Sequence, residues 1–305
     1  GAAVDSAATL ASMDDATRLA TLAEFAAQHA VSLLLALVAL LLVLSWLAWR
    51  LIERHAPAWL AGVARAWHVV DRRRLAARYL GVHAVASFAV CAAGLYAFVE
   101  LADETGAGED LAAFDLALAR GLSRHLGEAE LRLFGAITHL GDTAVLWPFA
   151  VLVAVVLAWR GERLLALGWA ATTGGGALLN WLLKQLFART RPFHDHGFAS
   201  ADGFSFPSGH ASGSLLVYGM LAYLVVRHSP RRWHLAVAAP LLILVVFVGA
   251  SRVLLQVHWF SDVLAGWANA AAWAALCIGG LEAVRLGGGD VPGGRRAAGV
   301  PRPTT

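Results

Sequence analysis

Charged side chains are scarce in this chain: Asp, Glu, Lys and Arg make up 15% of its 305 residues, whereas 59% are hydrophobic. Ordinary soluble domains carry about 25% charged residues, so the composition excludes a typical water-soluble fold. Cysteine is nearly absent, and both cysteines, Cys91 and Cys277, lie inside apolar runs, so a disulfide framework is not indicated. The formal net charge is only +3, and we expect no nucleic-acid partner.

Lysine is rarer still. Of the 24 basic residues all but one are arginine, and the exception is Lys184. A compact ammonium group and a planar guanidinium group are not interchangeable. A chain that uses arginine everywhere else therefore suggests a special role for the ammonium group at this position.

Long apolar runs, in contrast, are abundant. A membrane helix needs about 20 mostly apolar residues. Seven stretches reach or approach that length: 31–52, 79–101, 143–159, 164–187, 211–227, 233–251 and 259–285. We predict an all-α, polytopic membrane helix bundle with a six-helix core and one extra N-terminal transmembrane helix. No basic segment precedes the first run, so we expect a retained span and not a signal peptide.

The distribution of charge predicts the orientation of the bundle. Segments 50–78, 160–163, 227–234 and 285–305 hold 16 of the 24 basic residues, while the opposite side holds 16 of the 21 acids. Positive charge stays on the cytoplasmic side of a membrane. We therefore expect the N-terminus outside and the C-terminus inside, in the cytoplasmic (inner) membrane of a bacterium.

Three regions follow along the chain. Residues 1–78 contain a polar outer lead, the extra span and a basic cytoplasmic linker; residues 79–286 form the core; residues 287–305 form a disordered cytoplasmic tail rich in glycine and proline. Within the core, segment 109–140 is too polar to cross a bilayer, and its apolar residues recur at helical spacing. It predicts amphipathic helices on the outer surface.

Ionisable residues gather in three clusters, at the predicted outer ends of the fourth to seventh spans. Such residues are costly within a membrane, so each is a functional candidate. The clusters are KQLFARTRP (184–192), PSGH (207–210) and SRVLLQVHWFSD (251–262). Segments that are distant in sequence are thus predicted to meet at one depth, beneath the extracytoplasmic surface.

The clusters contain the donors that a phosphate group needs. Lys184, Arg191 and Arg252 supply three cations with little acid to pair them. Gly209, at the start of a predicted helix, lets backbone N–H groups approach a ligand, and Ser208 adds a hydroxyl donor. A compact, doubly charged oxyanion such as phosphate fits this set of groups.

Three other side chains supply reactivity. His258 and Asp262 are four residues apart and share one helix face. The carboxylate can accept a proton from one imidazole nitrogen and leave the other nucleophilic. His210 lies beside the phosphate donors and is placed to protonate a leaving oxygen as a general acid. The pattern indicates phosphoryl transfer through a phosphohistidine.

Joined in order, the clusters resemble the three-part signature of the type 2 phosphatidic acid phosphatase superfamily, without a gap. The matching residues are Lys184, Arg191, Pro192, Pro207, Ser208, Gly209, His210, Ser251, Arg252, His258 and Asp262. The resemblance covers about 79–285. It implies that His258 is the nucleophile, Asp262 its charge partner and His210 the general acid, and that the basic residues with Ser208 and Gly209 bind phosphate. It also implies an enzyme that needs no metal or cofactor.

Two other polar groups lie outside the clusters. His139 and Asp142, in THLGD, border the third span on the outer side, and we expect them at the entrance of the pocket. The run His194-Asp195-His196 superficially resembles a metal site, but it lacks further ligands, so we interpret it as a loop.

The predicted function is a metal-independent lipid phosphatase or diphosphatase at the outer leaflet, whose partners are the membrane and a lipid phosphate. A polyprenyl diphosphate such as undecaprenyl diphosphate is favoured, with broad specificity a close second. Phosphatidylglycerol phosphate, phosphatidic acid and lipid A phosphates stay open as substrates. So do a lipid phosphotransferase, a non-enzymatic lipid or phosphate transporter and, against the membrane setting, a haloperoxidase-like activity. Oligomeric state and the role of the first span are left open.

Overall fold

The computed structural model describes residues 15–67, 72–106, 109–194 and 196–287, and over these ranges the chain is helical and contains no strand. The predicted all-α fold is confirmed. Most of the predicted C-terminal tail and the first 14 residues of the predicted lead lie outside the described residues.

Twelve α-helices are formed within the described ranges. They are α1 (Asp15–Gln28), α2 (Ala30–Trp67), α3 (Arg72–Asp103), α4 (Asp110–His125), α5 (Glu128–Thr138), α6 (Thr143–Trp159), α7 (Arg163–Ala170), α8 (Gly176–Phe187), α9 (Gly209–Ser214), α10 (Met220–His228), α11 (His234–Leu254) and α12 (Phe260–Gly287). Two π-helical segments, Ala171–Gly175 and Leu215–Gly219, join α7 to α8 and α9 to α10 without a break.

Six stretches of the described residues are long and apolar enough to cross a membrane. They are Ala30–Leu51, Ala84–Asp103, Glu128–Trp159, Gly209–His228, Arg231–Leu254 and Phe260–Arg285. These correspond to six of the seven predicted spans, and the chain is an integral membrane protein. The remaining predicted span, 164–187, lies in the continuous helix from α7 to α8. It is not among the six because its glycines, Thr172, Thr173 and Asn180 lower its mean hydropathy.

Small residues allow the helices to approach one another closely, as is common in bilayers. A Cβ atom at Gly94 in α3 would lie 2.7 Å from the carbonyl oxygen of Ala268 in α12, so the two backbones are nearly in contact. A Cβ atom at Gly266 in α12 would lie 2.7 Å from the carbonyl oxygen of Ser208. The second contact brings α12 against the start of α9, where the second and third sequence clusters meet.

The polar segment 109–140 contains helices α4 and α5, which pack against α1 and the connection between α11 and α12. Their shared apolar core contains Ala23, Ala27, Leu118, Leu122, Leu131, Phe134, Leu254, Leu255 and Val257. Val257 immediately precedes His258. The amphipathic segment therefore supports the stretch of chain that carries one of the candidate site residues.

Replacing Gly94 with Ala tests the close packing of α3 on α12. The added methyl group meets backbone and not a flexible side chain, so we expect a loss of about 1–3 kcal/mol of stability, as in other overpacked cores. Gly280→Ala, in α12, is the matched control because a Cβ atom there meets nothing within 4 Å. Thermal unfolding in detergent should show a lower midpoint for the first variant alone; equal midpoints would contradict the proposed contact.

Candidate active site

The three sequence clusters meet around one cavity of about 710 Å³. Five of the ionisable site residues line it: Lys184, Arg191, His210, Arg252 and His258. Lys184 lies in α8 and Arg191 in the loop that follows. His210 lies in the first turn of α9, Arg252 near the end of α11, and His258 in the connection to α12. Each predicted cluster thus contributes to the same cavity.

The hydrogen bonds of the buried His258 ring define which nitrogen carries the proton. The Nδ1 atom lies 3.1 Å from Asp262 Oδ2, and the Nε2 atom lies 2.9 Å from Nη1 of Arg191. A guanidinium group can only donate, so Nε2 is the acceptor and Nδ1–H donates to the carboxylate. Burial, and after it the positive charge of Arg191, holds the pKa of His258 well below its usual value. The ring is therefore neutral, with an unprotonated Nε2 at the cavity.

Asp262 is held by the start of its own helix. It is the third residue of α12, and its Oδ2 accepts the backbone N–H of Trp259, just before the helix, at 3.0 Å, as in a capping box. Its backbone oxygen accepts the N–H of Ser208 at 2.9 Å. The second and third clusters are thus tied directly to each other, behind His258.

The three predicted cations lie at the cavity without acidic partners. Among the described residues, neither Lys184, Arg191 nor Arg252 has a carboxylate oxygen within 4.0 Å. Lys184 Nζ donates to the carbonyl oxygens of Phe204 and Ser205, at 2.6 and 3.2 Å. Their positive charge is left for an anion to compensate.

Arg252 is the most deeply buried of the three. Only 2% of its surface is exposed, and Nη1 donates to Thr138 Oγ1 at 2.7 Å. Its Nε has no acceptor within the described part of the chain. An unpaired donor on a buried cation costs free energy, which a bound oxyanion would recover.

Arg191 is held differently, by a ring of carbonyl oxygens. Nε and Nη2 donate to the oxygens of Asp202, Gly203 and Phe204, each at 3.0 Å. Nη1 donates to the oxygen of Val257 at 2.7 Å as well as to the His258 ring. All five N–H groups of this side chain therefore have acceptors, and the guanidinium is fixed beside His258 Nε2.

The sequence analysis assigned phosphate binding to Ser208 and Gly209 together, but the two residues have different positions. The Ser208 hydroxyl accepts the N–H of Ala211 at 3.4 Å and caps α9; the residue is fully buried and does not line the cavity. Gly209 does line it, close to Lys184 and Asn180. The backbone at Gly209, and not the hydroxyl, is the group of this pair that borders the cavity.

His210 has a carboxylate partner that the three clusters do not contain. Its Nε2 donates to Asp142 Oδ1 at 2.8 Å, and Asp142 Oδ2 accepts from His139 Nδ1 at 2.7 Å. Asp142 stands at the N-cap of α6, where aspartate usually accepts a helix N–H, but it makes no such bond. Both oxygens bind imidazoles instead. The sequence analysis expected Asp142 at the entrance of the pocket and did not predict its contact with His210, the candidate acid.

Sequence reasoning also missed Asn180, Arg189 and Asp115. Asn180 precedes Lys184 by one helical turn, lines the cavity and is 7% exposed, and its Nδ2 has no acceptor among the residues described. Arg189 donates to Asp262 Oδ1 at 2.7 Å and to Asp115 Oδ2 at 3.0 Å. The position of Arg189 within KQLFARTRP could have indicated its role. Asp115 lies in the amphipathic segment, where the sequence pattern gave no indication of a role in the site.

The described residues contain no group of three or more His, Cys, Asp or Glu side chains that could hold a metal ion. In the run that superficially resembles a metal site, Asp195 lies outside the described residues. The rings of His194 and His196 stack at 4.6 Å, and His196 Nε2 donates to the carbonyl oxygen of Leu255. His196 therefore fastens its loop to the end of α11.

Comparisons with known proteins indicate a family. Residues 163–284 match the model of the PAP2 superfamily. Phosphatidylglycerophosphatase B of Bacillus subtilis (strain 168) is 34% identical over 139 residues, which are 43% of this chain and 65% of that protein. A lipid A 1-phosphatase of Rhizobium johnstonii is 30% identical over 181 residues, 50% of this chain and 65% of that protein. The chain thus spans about 65% of the length of these relatives.

A solved structure extends the likeness beyond the matched domain. The crystal structure of a transmembrane PAP2-type phosphatidylglycerolphosphate phosphatase from Bacillus subtilis superposes with a TM-score of 0.59 at 28% identity. The superposition covers 64% of this chain and 96% of that one. The signature residues, the helical bundle and the comparisons agree: residues 163–284 contain a PAP2 superfamily domain, and the chain resembles a transmembrane phosphatase of that superfamily.

Proposed function

We propose that this protein is a membrane lipid phosphatase that hydrolyses a phosphate headgroup through a phosphohistidine on His258, without a metal ion. The observation that carries the proposal is the unprotonated Nε2 of His258, held by Asp262 at a cavity whose three cations have no acidic partner in the part of the chain that the structure describes. A neutral imidazole is a nucleophile, and unpaired cations stabilise the charge of a phosphoryl group.

The first half of the reaction transfers the phosphoryl group to the enzyme. The non-bridging oxygens bind to Lys184, Arg191 and Arg252, and His258 Nε2 attacks phosphorus as the bond to the lipid oxygen breaks. His210 gives a proton to that oxygen, and the lipid alcohol leaves. Asp262 keeps its hydrogen bond with Nδ1–H and stabilises the positive charge that the phosphorylated ring acquires.

The second half restores the enzyme. His210, now neutral, accepts a proton from water, whose oxygen attacks phosphorus and displaces His258 Nε2. Inorganic phosphate leaves, and both histidines return to their starting protonation states. General acid–base catalysis of this kind contributes about 10²–10⁴-fold to the rate.

Arg191 links binding to attack. Its Nη1 donates to the nucleophilic Nε2 before substrate arrives. A phosphoryl oxygen is a stronger acceptor than an imidazole because it carries charge. The incoming phosphate therefore takes over this donor and frees the Nε2 lone pair at the moment when phosphorus comes within reach.

The cavity suits a lipid because its two ends differ in polarity. Beyond the cations, most of its lining is apolar and comes from α6, α8 and the π-helical segment Leu215–Gly219; the apolar part contains Leu146, Trp147, Ala150, Ala177, Leu178, Trp181, Leu216 and Val217. Trp147, Leu178 and Trp181 are also exposed at the outer surface of the bundle. An acyl chain can therefore stay in the bilayer while its phosphate reaches His258.

Two observations favour a phosphomonoester lipid over the polyprenyl diphosphate that the sequence analysis favoured. The relatives compared above are named for phosphatidylglycerophosphate and lipid A 1-phosphate. In addition, the unpaired amide of Asn180 lies one helical turn from Lys184, towards the apolar part of the cavity. Esters and hydroxyl groups adjoin the phosphate in those lipids and can accept this N–H; in a polyprenyl diphosphate the neighbouring group is a second, negatively charged phosphate, and the described lining of the cavity adds no fourth Lys or Arg to compensate its charge.

The uneven charge distribution favours a site on the outer side. Sixteen of the 24 basic residues fall in segments on the other side of the predicted spans. By the positive-inside rule, the cavity then opens to the periplasmic side of the cytoplasmic membrane.

Removing the nucleophile tests the reaction. His258→Ala should lower phosphate release at least 10³-fold, and wild-type turnover should persist in EDTA, since no step uses a metal. His234→Ala, at the start of α11 and far from the cavity, is the control. Release that requires a divalent ion, or that survives in His258→Ala, would overturn the proposal. Lipid flux without phosphate release would indicate a transporter, and turnover that requires a lipid acceptor would indicate a phosphotransferase.

Changing Asp142 to Asn tests the assignment of His210 as the acid. The variant removes the charge that holds the protonated ring but leaves His210 itself, so kcat for a lipid phosphate should fall about 10- to 100-fold, no more than the lower limit of what a general acid contributes. p-Nitrophenyl phosphate needs no proton on its leaving oxygen and should lose much less. His139→Gln, which removes the other imidazole on Asp142, should have a smaller effect. Equal losses on both substrates would refute the assignment.

Replacing Asn180 with Leu tests the choice of substrate. Losing one hydrogen bond to the lipid should lower kcat/KM for phosphatidylglycerol phosphate by about tenfold, as expected from roughly 1 kcal/mol per bond. The wild-type value should also be at least about tenfold higher for phosphatidylglycerol phosphate than for undecaprenyl diphosphate, whose second phosphate has no Lys or Arg of its own in the described lining of the cavity. Gln185→Leu makes a similar change on the exposed side of the same helix and is the control. If both substrates lose equally, Asn180 does not distinguish them.

A further inference from the structure

A buried ionic group lies behind the His258–Asp262 pair. Arg189 donates to Asp262 Oδ1 through Nη1, at 2.7 Å, and to Asp115 Oδ2 through Nη2, at 3.0 Å. The side chains of both aspartates are fully buried, and that of Arg189 is 15% exposed. One guanidinium therefore bridges two carboxylates, of which only Asp262 touches the nucleophile.

Asp115 also holds the first turn of α12. Its Oδ1 accepts the backbone N–H of Ser261 at 3.1 Å, and its Oδ2 accepts the Ser261 hydroxyl. Ser261 directly precedes Asp262 in the chain, and its hydroxyl oxygen accepts a second bond from Arg189 at 2.8 Å. The carboxylate of Asp115 thus fixes both the backbone that presents Asp262 and the cation that pairs with it.

The indole ring of Trp259 packs against the guanidinium of Arg189. The guanidinium of Arg189 lies 5.4 Å from the centre of the Trp259 ring, and the ring Nε1–H donates to the carbonyl oxygen of Thr190 at 2.8 Å. Arg189 is therefore held between two carboxylates and an aromatic face. It has little freedom to turn away from Asp262.

The charges explain why a second aspartate is needed. Asp262 and Arg189 alone would have a net charge of zero, and a neutral pair stabilises a cationic imidazole weakly. With Asp115 ionised, the group carries one net negative charge. In a buried environment, where charge interactions are strong, one such charge is what the phosphorylated, positively charged His258 ring requires.

Asp115 stands outside the part of the chain that matches the family model, which begins at residue 163. It belongs to α4, which packs on the rest of the protein through Leu118 and Leu122 and pairs with Glu24 of α1 through Arg124 and His125. This packing and these ion pairs account for the docking of α4. They do not account for a buried carboxylate aimed at the first turn of α12.

We propose that Asp115 is a positioning residue for phosphoryl transfer: acting through Arg189 and Ser261, it fixes Asp262 and supplies the negative charge that offsets the cationic His258 intermediate. The proposal rests on the phosphohistidine reaction described above. No proton moves to Asp115 or Asp262. As the bond between Nε2 and phosphorus forms and the bond to the lipid oxygen breaks, the new positive charge on the ring is balanced by the three-residue group.

The test changes the charge of the side chain at position 115, because a purely structural role of Asp115 would not depend on that charge. Asp115→Asn keeps the shape and the oxygen that accepts the Ser261 backbone N–H, replaces the oxygen that faces Arg189 and the Ser261 hydroxyl with an amide nitrogen, and makes the group neutral. We expect kcat to fall about 10- to 100-fold with KM changed less than about threefold. Single turnovers quenched with alkali, in which phosphohistidine is stable, should show slower formation of phosphorylated His258. Asp110→Asn, an exposed acid in the same helix, is the control and should match the wild type.

The double variant Asp115→Asn, Arg189→Met separates charge from packing. It removes one negative and one positive charge, so Asp262 alone restores the net charge of −1. We expect it to be at least about fivefold more active than Asp115→Asn alone, because coupled neighbours are not additive. A purely structural role predicts instead that the double variant is the less active of the two, and that result would overturn the proposal. Thermal unfolding of each variant in detergent checks that the comparison is between folded proteins.

Failure of this proposal is distinguishable from failure of the proposed function. If the wild type releases phosphate through His258 and Asp115→Asn does so equally fast, Asp115 has no positioning role and the function stands. If the wild type neither releases phosphate nor labels His258, the function itself is wrong. A loss in Asp115→Asn that appears only in KM would assign the residue to substrate binding and would also contradict the proposal.

Discussion

Three cations, one buried and two half-buried, lie at one end of a helical bundle without acidic partners among the described residues, and they are the constraint on which this site depends. Like charges repel strongly where water is excluded, and each would be costly alone. The protein offsets part of that cost with carbonyl oxygens: Phe204 and Ser205 for Lys184, and the neighbouring loop for Arg191. Carbonyl dipoles stabilise a cation without neutralising it. The site therefore retains its positive charge for a doubly charged ligand.

The parts of the site that could be predicted are those with a fixed spacing. His258 and Asp262 meet because residues four apart share a helix face, and the clusters meet because each borders the same end of a predicted span. Asp115 and Asp142 follow no such rule. Both are acids in stretches whose polarity resembles that of a solvated surface, and only the packing of α4 and α6 brings them to the site. Among the predicted spans, 164–187 is the one that is not among the six apolar stretches. The reason is that Thr172, Thr173 and Asn180 make the helix from α7 to α8 less apolar than its neighbours.

The site also extends beyond the domain that the family comparison identifies. The matched region begins at residue 163, yet His210 pairs with Asp142, and the Asp262 carboxylate is linked through Arg189 to Asp115. Thr138, at the end of α5, accepts a hydrogen bond from Arg252. Each of the three candidate functions, namely acid, charge partner and anion donor, thus has one supporting residue from segment 109–142. The outer helices are part of the site as well as of its packing.

The two π-helical segments give the cavity a further property. Ala171–Gly175 and Leu215–Gly219 lie against each other, and Thr173, Gly174, Leu216 and Val217 line the apolar part of the cavity. A π-turn contains one more residue than an α-turn, so it rotates everything on one side of it by about 100° relative to the other. Gain or loss of a single residue there would turn α7 relative to α8 and α10 relative to α9, and would move Thr173 and Leu216 while Lys184 and His210 kept their places. The apolar lining can in this way change without moving the residues proposed to bind phosphate.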